Sequence, residues 1–165
     1  MMYGKELSKL ITYNIIDYTN IIPNKGSILC LDIGSKTIGL SICDSDRSIA
    51  SNLKTIIRTK LNNDIKTIKN IILDYQVKSM VVGLPLNLKG KLNKKSQSII
   101  RLTKEINLDI KLPILLKDER NSTNAVEKFF IDDVDLSRKK RKKVIDSSAA
   151  TWILEGVIKS LNNIN

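Results

Sequence analysis

No histidine occurs anywhere in the 165 residues. That absence excludes Ser-His-Asp and Cys-His catalysis and any imidazole general base. Two cysteines are too few for a structural zinc site, and no histidine is present to complete one. Cys30 and Cys43 lie in apolar surroundings and read as free buried thiols of a reducing compartment. Any chemistry must therefore run on carboxylates, lysines, hydroxyls or metal ions. Aromatic residues are also scarce, at 4%, so the core must be built from Ile and Leu within a hydrophobic fraction of 42%. No run of 18 or more apolar residues exists, which argues against a membrane-spanning helix. The first 26 residues lack the compact apolar stretch and small-residue cleavage site of a secretory signal. A soluble, cytoplasmic protein is expected.

Positive charge, by contrast, is in excess. The net charge is +11, and six of those charges come from one run, Arg138, Lys139, Lys140, Arg141, Lys142 and Lys143. Nucleic acid, anionic lipid and acidic protein are the candidate partners for such a chain. A solvated basic face without a partner is the plainer alternative.

The length suits one domain. Leu7, Leu10, Ile11, Ile15 and Ile16 have helical spacing, and Pro23, Asn24 and Gly26 end the segment. Residues 1–26 are thus expected to be a partly helical extension ahead of a domain over 27–165. Strands are predicted over Ser27–Ile33, Thr37–Cys43, Asn52–Thr59, Lys78–Leu84 and Leu112–Lys117. Helices are predicted over Asn62–Tyr75, Leu92–Ile106 and Lys142–Leu161, with another from Ser122 or Thr123 to about Ile131. Strands come first, then strand and helix alternate. That order predicts an α/β fold whose mixed five-stranded sheet is an antiparallel meander extended by parallel strands and flanked by helices.

Three acidic clusters fit that plan poorly. Along "ILCLDI", Ile28, Cys30 and Asp32 share one face and Leu29, Leu31 and Ile33 the other. Both faces are apolar, so Asp32 sits in a central strand, where a carboxylate is costly unless paired or bound to a cation. Taken alone, it could simply cap the Gly-Ser turn that follows. In the last helix, Ala150, Ile153 and Val157 fall within about 40° of Asp146 at 100° per residue. Asp146 therefore leads the apolar stripe. Helix-dipole complementarity accounts for an acid near an N-terminus, but not for one on that stripe. In "KDERNST", Asp118 continues the phase of Ile114 and Leu116, and Glu119 that of Leu115. Converging carboxylates without histidine suggest Mg²⁺ or Mn²⁺ held by oxygen ligands. Two such ions can activate water and stabilise the leaving oxygen of a phosphodiester.

The segments "LDIGSKTIGLSICD", "VVGLPLN", "DERNST" and "DLSRKKRKKVIDSSAATWILEG", in this order and spacing, resemble the YqgF family, also called RuvX. The resemblance covers the chain from about Ser27 to its end. It implies a ribonuclease H-like fold and a nuclease that processes the 5′ end of pre-16S ribosomal RNA. Holliday junction resolution has been assigned to some members, and such a resolvase would be expected to act as a homodimer. The implied acids are Asp32, Asp146 and one or both of Asp118 and Glu119, with Glu119 favoured for its longer reach. Two departures stand out. Where the family usually carries an acidic, glycine-rich loop, this chain has "LKGKLNKKS", which disfavours a metal ligand there and favours phosphate contact. The family's "DERLST" is "DERNST" here, which leaves the acids untouched.

The reading that joins these signals is a nuclease with Asp32, Glu119 and Asp146 as metal ligands and Asp118 in support. Lys36 is a candidate phosphate contact, and Arg120 either does the same or pairs with Asp118. The run from Arg138 to Lys143 would hold a nucleic-acid backbone without sequence readout. A non-catalytic RNA-binding assembly factor is the competing reading. "LDIGSKTIG" also resembles the phosphate hairpin of actin and sugar-kinase ATPases, but those need a second matching half for which 165 residues leave no room.

Overall fold

Strands with two apolar faces must be covered on both sides, and this requirement sets the architecture. The computed structural model describes residues 10–120 and 138–164, the side chains of 138–148 excepted. The elements in chain order are β1 (Ile11–Thr12), α1 (Ile15–Ile21), β2 (Ile28–Ile33), β3 (Thr37–Cys43), β4 (Ala50–Ile57), α2 (Leu61–Asp74), β5 (Ser79–Leu84), α3 (Lys94–Ile110), β6 (Ile114–Asp118) and α4 (Arg138–Ile164). The sheet order is β1-β6-β5-β2-β3-β4. β2, β3 and β4 form an antiparallel meander, while β5, β6 and β1 extend it in parallel on the other side of β2. The expected meander with a parallel extension is what the chain adopts.

The alternation in β2 sorts its residues into two cores. Leu29, Leu31 and Ile33 join a core with Ile65, Ile68 and Ile71 of α2 and Ile99 and Ile106 of α3. Ile28 and Cys30 join a second core with Tyr18 of α1 and Ile153, Leu154, Val157 and Leu161 of α4. The sheet is thus sandwiched between α2 and α3 on one face and α1 and α4 on the other. No helix among the described residues is long and apolar enough to cross a membrane.

Two expectations are corrected. The sheet has six strands rather than five. The extra strand comes from the stretch whose spacing predicted a helix: Ile11 and Thr12 pair in parallel with Ile114 and Leu115, and Ile114 N–H donates to Leu10 O at 2.7 Å. Without this pairing, β6 would be an open edge with unsatisfied backbone groups, and that demand outweighs the local periodicity. The helix begins later, at Ile15, where the Asn14 side chain caps it by accepting from Ile16 N–H at 2.7 Å. Tyr18, fully buried, then anchors the segment by donating from its hydroxyl to Ser79 Oγ at 2.8 Å.

The second correction concerns α4, which begins at Arg138 rather than Lys142, so the basic run forms its first two turns. The helix expected from Ser122 or Thr123 to Ile131 lies outside the described residues.

Candidate active site

β5 lies between β2 and β6, so side chains from the two outer strands start roughly 10 Å apart, twice the interstrand spacing. Two carboxylates from those strands can meet over β5 only where β5 presents no side chain. Gly83 is that residue. Its partner across β6 is Lys117, and it lies one residue beyond the Leu31–Val82 partners, level with Asp32. A Cβ built at Gly83 would lie 2.5 Å from Glu119 Oε2 and 2.9 Å from Ile153 Cδ1. Glu119, immediately past β6, therefore passes over a bare backbone, and its carboxyl group hydrogen-bonds that of Asp32. Its backbone N–H donates to Leu84 O at 3.2 Å, which fixes its start point.

A hydrogen bond between two carboxyl groups requires a shared proton. Burial pushes the Glu119 carboxyl up to about 7; the Asp32 charge and hydrogen bond and the Asp118 charge add to the rise, and Lys95 opposes it. Beneath the pair lies Cys30, fully buried. Burial, then the charges of Asp32 and Glu119, hold its thiol well above the ordinary range, so it stays protonated and serves as an inert floor.

Asp118 belongs to a different environment. Its strand phase turns it to the face of Ile114 and Leu116, away from Asp32. Arg120 closes on it, with Nε donating to Oδ2 at 2.7 Å and the backbone N–H to Oδ1 at 3.0 Å. Burial raises the Asp118 carboxyl, but the hydrogen bonds and charge of Arg120 outweigh it and leave it below the usual range. Arg120 is thus paired with Asp118 in the structure.

Lys36 is exposed in the β2–β3 turn. Arg58 pins that turn, donating from Nη1 to Gly34 O at 2.7 Å and from its backbone to Lys36 O at 2.9 Å. Asp146 and the residues Arg138, Lys139, Lys140, Arg141, Lys142 and Lys143 lie on α4. Their side chains are outside the described residues. The helix backbone sets position 146 one turn before Ala150 and two turns before Ile153, whose side chain borders Gly83. Among the described residues, no group of three His, Cys, Asp or Glu side chains could hold a metal ion. The described centre is the Asp32–Glu119 pair.

Sequence reasoning missed Gly83 and Arg58, and marked Lys95 only as one of the lysines of a loop suited to phosphate contact. Gly83 carried a readable signal, because glycine inside an apolar strand marks a place where another group comes close to the backbone. Arg58 carried none, since a basic residue beside an element's end is usually only solvated.

A sequence model of the RuvX family, described as Holliday junction resolvase, matches residues 26–160. The chain belongs to the RuvX family. It is accordingly a nuclease, a hydrolase of phosphodiester bonds. RuvX relatives are close in sequence. One from Zymomonas mobilis is 41% identical over 143 residues, covering 87% of this chain and 86% of its own. One from Pelagibacter ubique is 44% identical over 141 residues, covering 85% and 92%. Both carry the name "Putative pre-16S rRNA nuclease". Among solved structures, Thermus thermophilus RuvC in complex with a Holliday junction matches with a TM-score of 0.53 at 9% identity, over 83% of this chain and 96% of that one. The fowlpox virus Holliday junction resolvase matches at 0.51 and 15% identity, over 82% and 99%. These likenesses establish the ribonuclease H-like fold.

Proposed function

We propose that this RuvX protein is a divalent-metal-dependent nuclease that trims the 5′ end of pre-16S ribosomal RNA by hydrolysis, in the cytoplasm. The observation that carries the metal dependence is the Asp32–Glu119 pair, brought together over Gly83 at the ends of two strands. Two carboxylates held in a partly buried site repel each other once ionised. A hard cation with oxygen ligands relieves that repulsion, and no nitrogen or sulfur donor competes, because Cys30 stays a buried thiol. Asp32, Glu119 and Asp146 would hold Mg²⁺ or Mn²⁺. When bound, such ions lower the pKa of water and stabilise a leaving oxygen.

The chain's own residues then do the rest. Asp32 and Glu119 would hold the ion as two carboxylates, their shared proton being released to solvent water. Ile153 and Cys30 keep the underside of the site dry. Arg120 pairs with Asp118 and so offsets part of a third negative charge that acts on the pair. Lys36 and the run from Arg138 to Lys143 hold the substrate backbone through its phosphates, without reading bases. The RNA substrate is taken from the names of relatives at about 40% identity. The family description favours a second substrate, branched DNA, on which a symmetric homodimer would act.

Cleavage of a precursor 16S RNA end and of a four-way DNA junction, measured side by side with Mg²⁺ or Mn²⁺ and with chelator, separates the two. Preference for the junction would overturn the RNA reading. RNA binding that persists in Asp32→Asn, with processing unchanged, would favour a non-catalytic assembly factor.

A further inference from the structure

The basic loop between β5 and α3 is not a loose tether. Asn87 Oδ1 accepts from Lys89 N–H at 3.0 Å and from Lys91 N–H at 2.8 Å, and Gly90 N–H donates to Asn87 O at 2.8 Å. Gly90 turns with φ of +73°, and a Cβ there would lie 3.1 Å from Arg120 Nη1. The guanidinium that pairs with Asp118 thus also braces the loop. At the loop's far end, Asn93 caps α3 in a capping box with Ser96. The Ser96 hydroxyl donates to Pro85 O, only two residues past Gly83. The first turn of α3 is therefore tied to the same strand end that cradles Glu119.

This anchoring fixes the backbone that carries four lysines, between the end of β5 and the first turn of α3. Lys89, Lys91, Lys94 and Lys95 are all exposed. Lys95 immediately precedes the anchored Ser96, and its charge acts on Glu119. Among the described residues, none of the four makes an ion pair within 4 Å. Exposed lysines on an anchored backbone, one of them acting on an acidic centre, fit a ligand that presents repeated phosphates there.

We propose that residues 87–95 form a phosphate-binding wall of the active site, with Lys95 on the phosphate beside the one that is cut. The wall's ligand is a nucleic-acid backbone. The proposal rests on the nuclease reading only for the position of the cut, since the binding it requires can be measured without turnover.

The test compares wild type, Lys95→Gln, Lys95→Arg and Lys159→Gln. Lys159 is exposed on α4 beside Ser48 and Asn162, near the opposite end of the sheet. Binding of a short fluorescein-labelled single-stranded RNA is followed by anisotropy across a potassium chloride series, in EDTA. Lys95→Gln should weaken binding about fivefold and reduce the slope of log affinity against log salt by roughly 0.7, the value for one lost phosphate contact on a single strand. Lys95→Arg and Lys159→Gln should match wild type. The wall is refuted if Lys95→Gln binds like wild type with the same slope, as it would if Lys95 served only to balance Glu119. It is equally refuted if Lys159→Gln loses as much, because net charge would then explain the effect. Cleavage in Mn²⁺ is recorded on the same samples. A protein that binds through Lys95 without cutting upholds the wall and overturns the nuclease reading. A protein that cuts with unchanged KM and salt slope in Lys95→Gln does the reverse.

Discussion

Replacing Glu119 by Gln should make the metal-free protein more stable at pH 8 and change it little at pH 4.5. The folded-state Glu119 carboxyl is raised from 4.5 to about 7. Between those values the folded chain binds the proton more tightly than the unfolded chain does. Stability from that proton is therefore fully present below pH 4.5 and is lost as pH rises through about 7. A shift of this size corresponds to about 3 kcal/mol at most, at 1.36 kcal/mol per unit. Coupling to Asp32 and the part-exposed setting reduce it to about 1–2 kcal/mol. Gln removes the charge that has to be accommodated and keeps a donor toward Asp32. For a chain of this length, the gain should raise Tm by about 3–6 °C in chelator at pH 8. Thermal melts at both pH values, with EDTA and then with excess Mn²⁺, measure it. In Mn²⁺ the order should reverse, because only wild type gains stability by binding the ion. A Gln variant that melts below wild type at pH 8 in EDTA would refute the idea that the pair is held together against its own repulsion.

Other substitutions probe the parts separately. Gly83→Ala should fold, because the two atoms it would press on are side-chain ends, but it should lose the Mn²⁺-induced rise in Tm; an unchanged rise would show that the bare backbone is not needed. Asp118→Asn should keep metal-dependent cleavage within a few-fold of wild type, while Asp32→Asn should not, as steady-state rates will tell. Tyr18→Phe should cost about 1 kcal/mol in urea unfolding, since it leaves the buried Ser79 hydroxyl without its donor. No loss there would mean that the N-terminal segment is not anchored through this bond.

Much of this architecture was legible in strand parity. The alternation of Ile28, Cys30 and Asp32 against Leu29, Leu31 and Ile33 foretold the two cores, because a period of two fixes which face each residue takes. The same parity contained the answer for "KDER": Glu119 shares its phase with Leu115 of the α4-side core, and Asp118 does not. The face that Glu119 takes, more than the length of its side chain, brings it to Asp32. Two other features were beyond local reading. The helical spacing of Leu10, Ile11 and Ile15 was real, yet the open edge of β6 lies about a hundred residues away in sequence, and only the assembled sheet shows that it needs a partner. The lysine-rich loop was legible as a phosphate contact, but that Lys95 acts on Glu119 follows only once Ser96 ties α3 to Pro85.

On the proposed reading, Asp32 and Glu119 form a metal-dependent cutting centre. Its most direct test is the cleavage rate of a 5′-extended precursor 16S RNA in Mn²⁺, for wild type and Asp32→Asn, with a chelator control. Wild type should cut only with the ion, and Asp32→Asn should fall by more than the roughly 10–100-fold typical of losing an outer partner of a metal ligand. Cleavage that survives the chelator, or an Asp32→Asn rate equal to wild type, would contradict it.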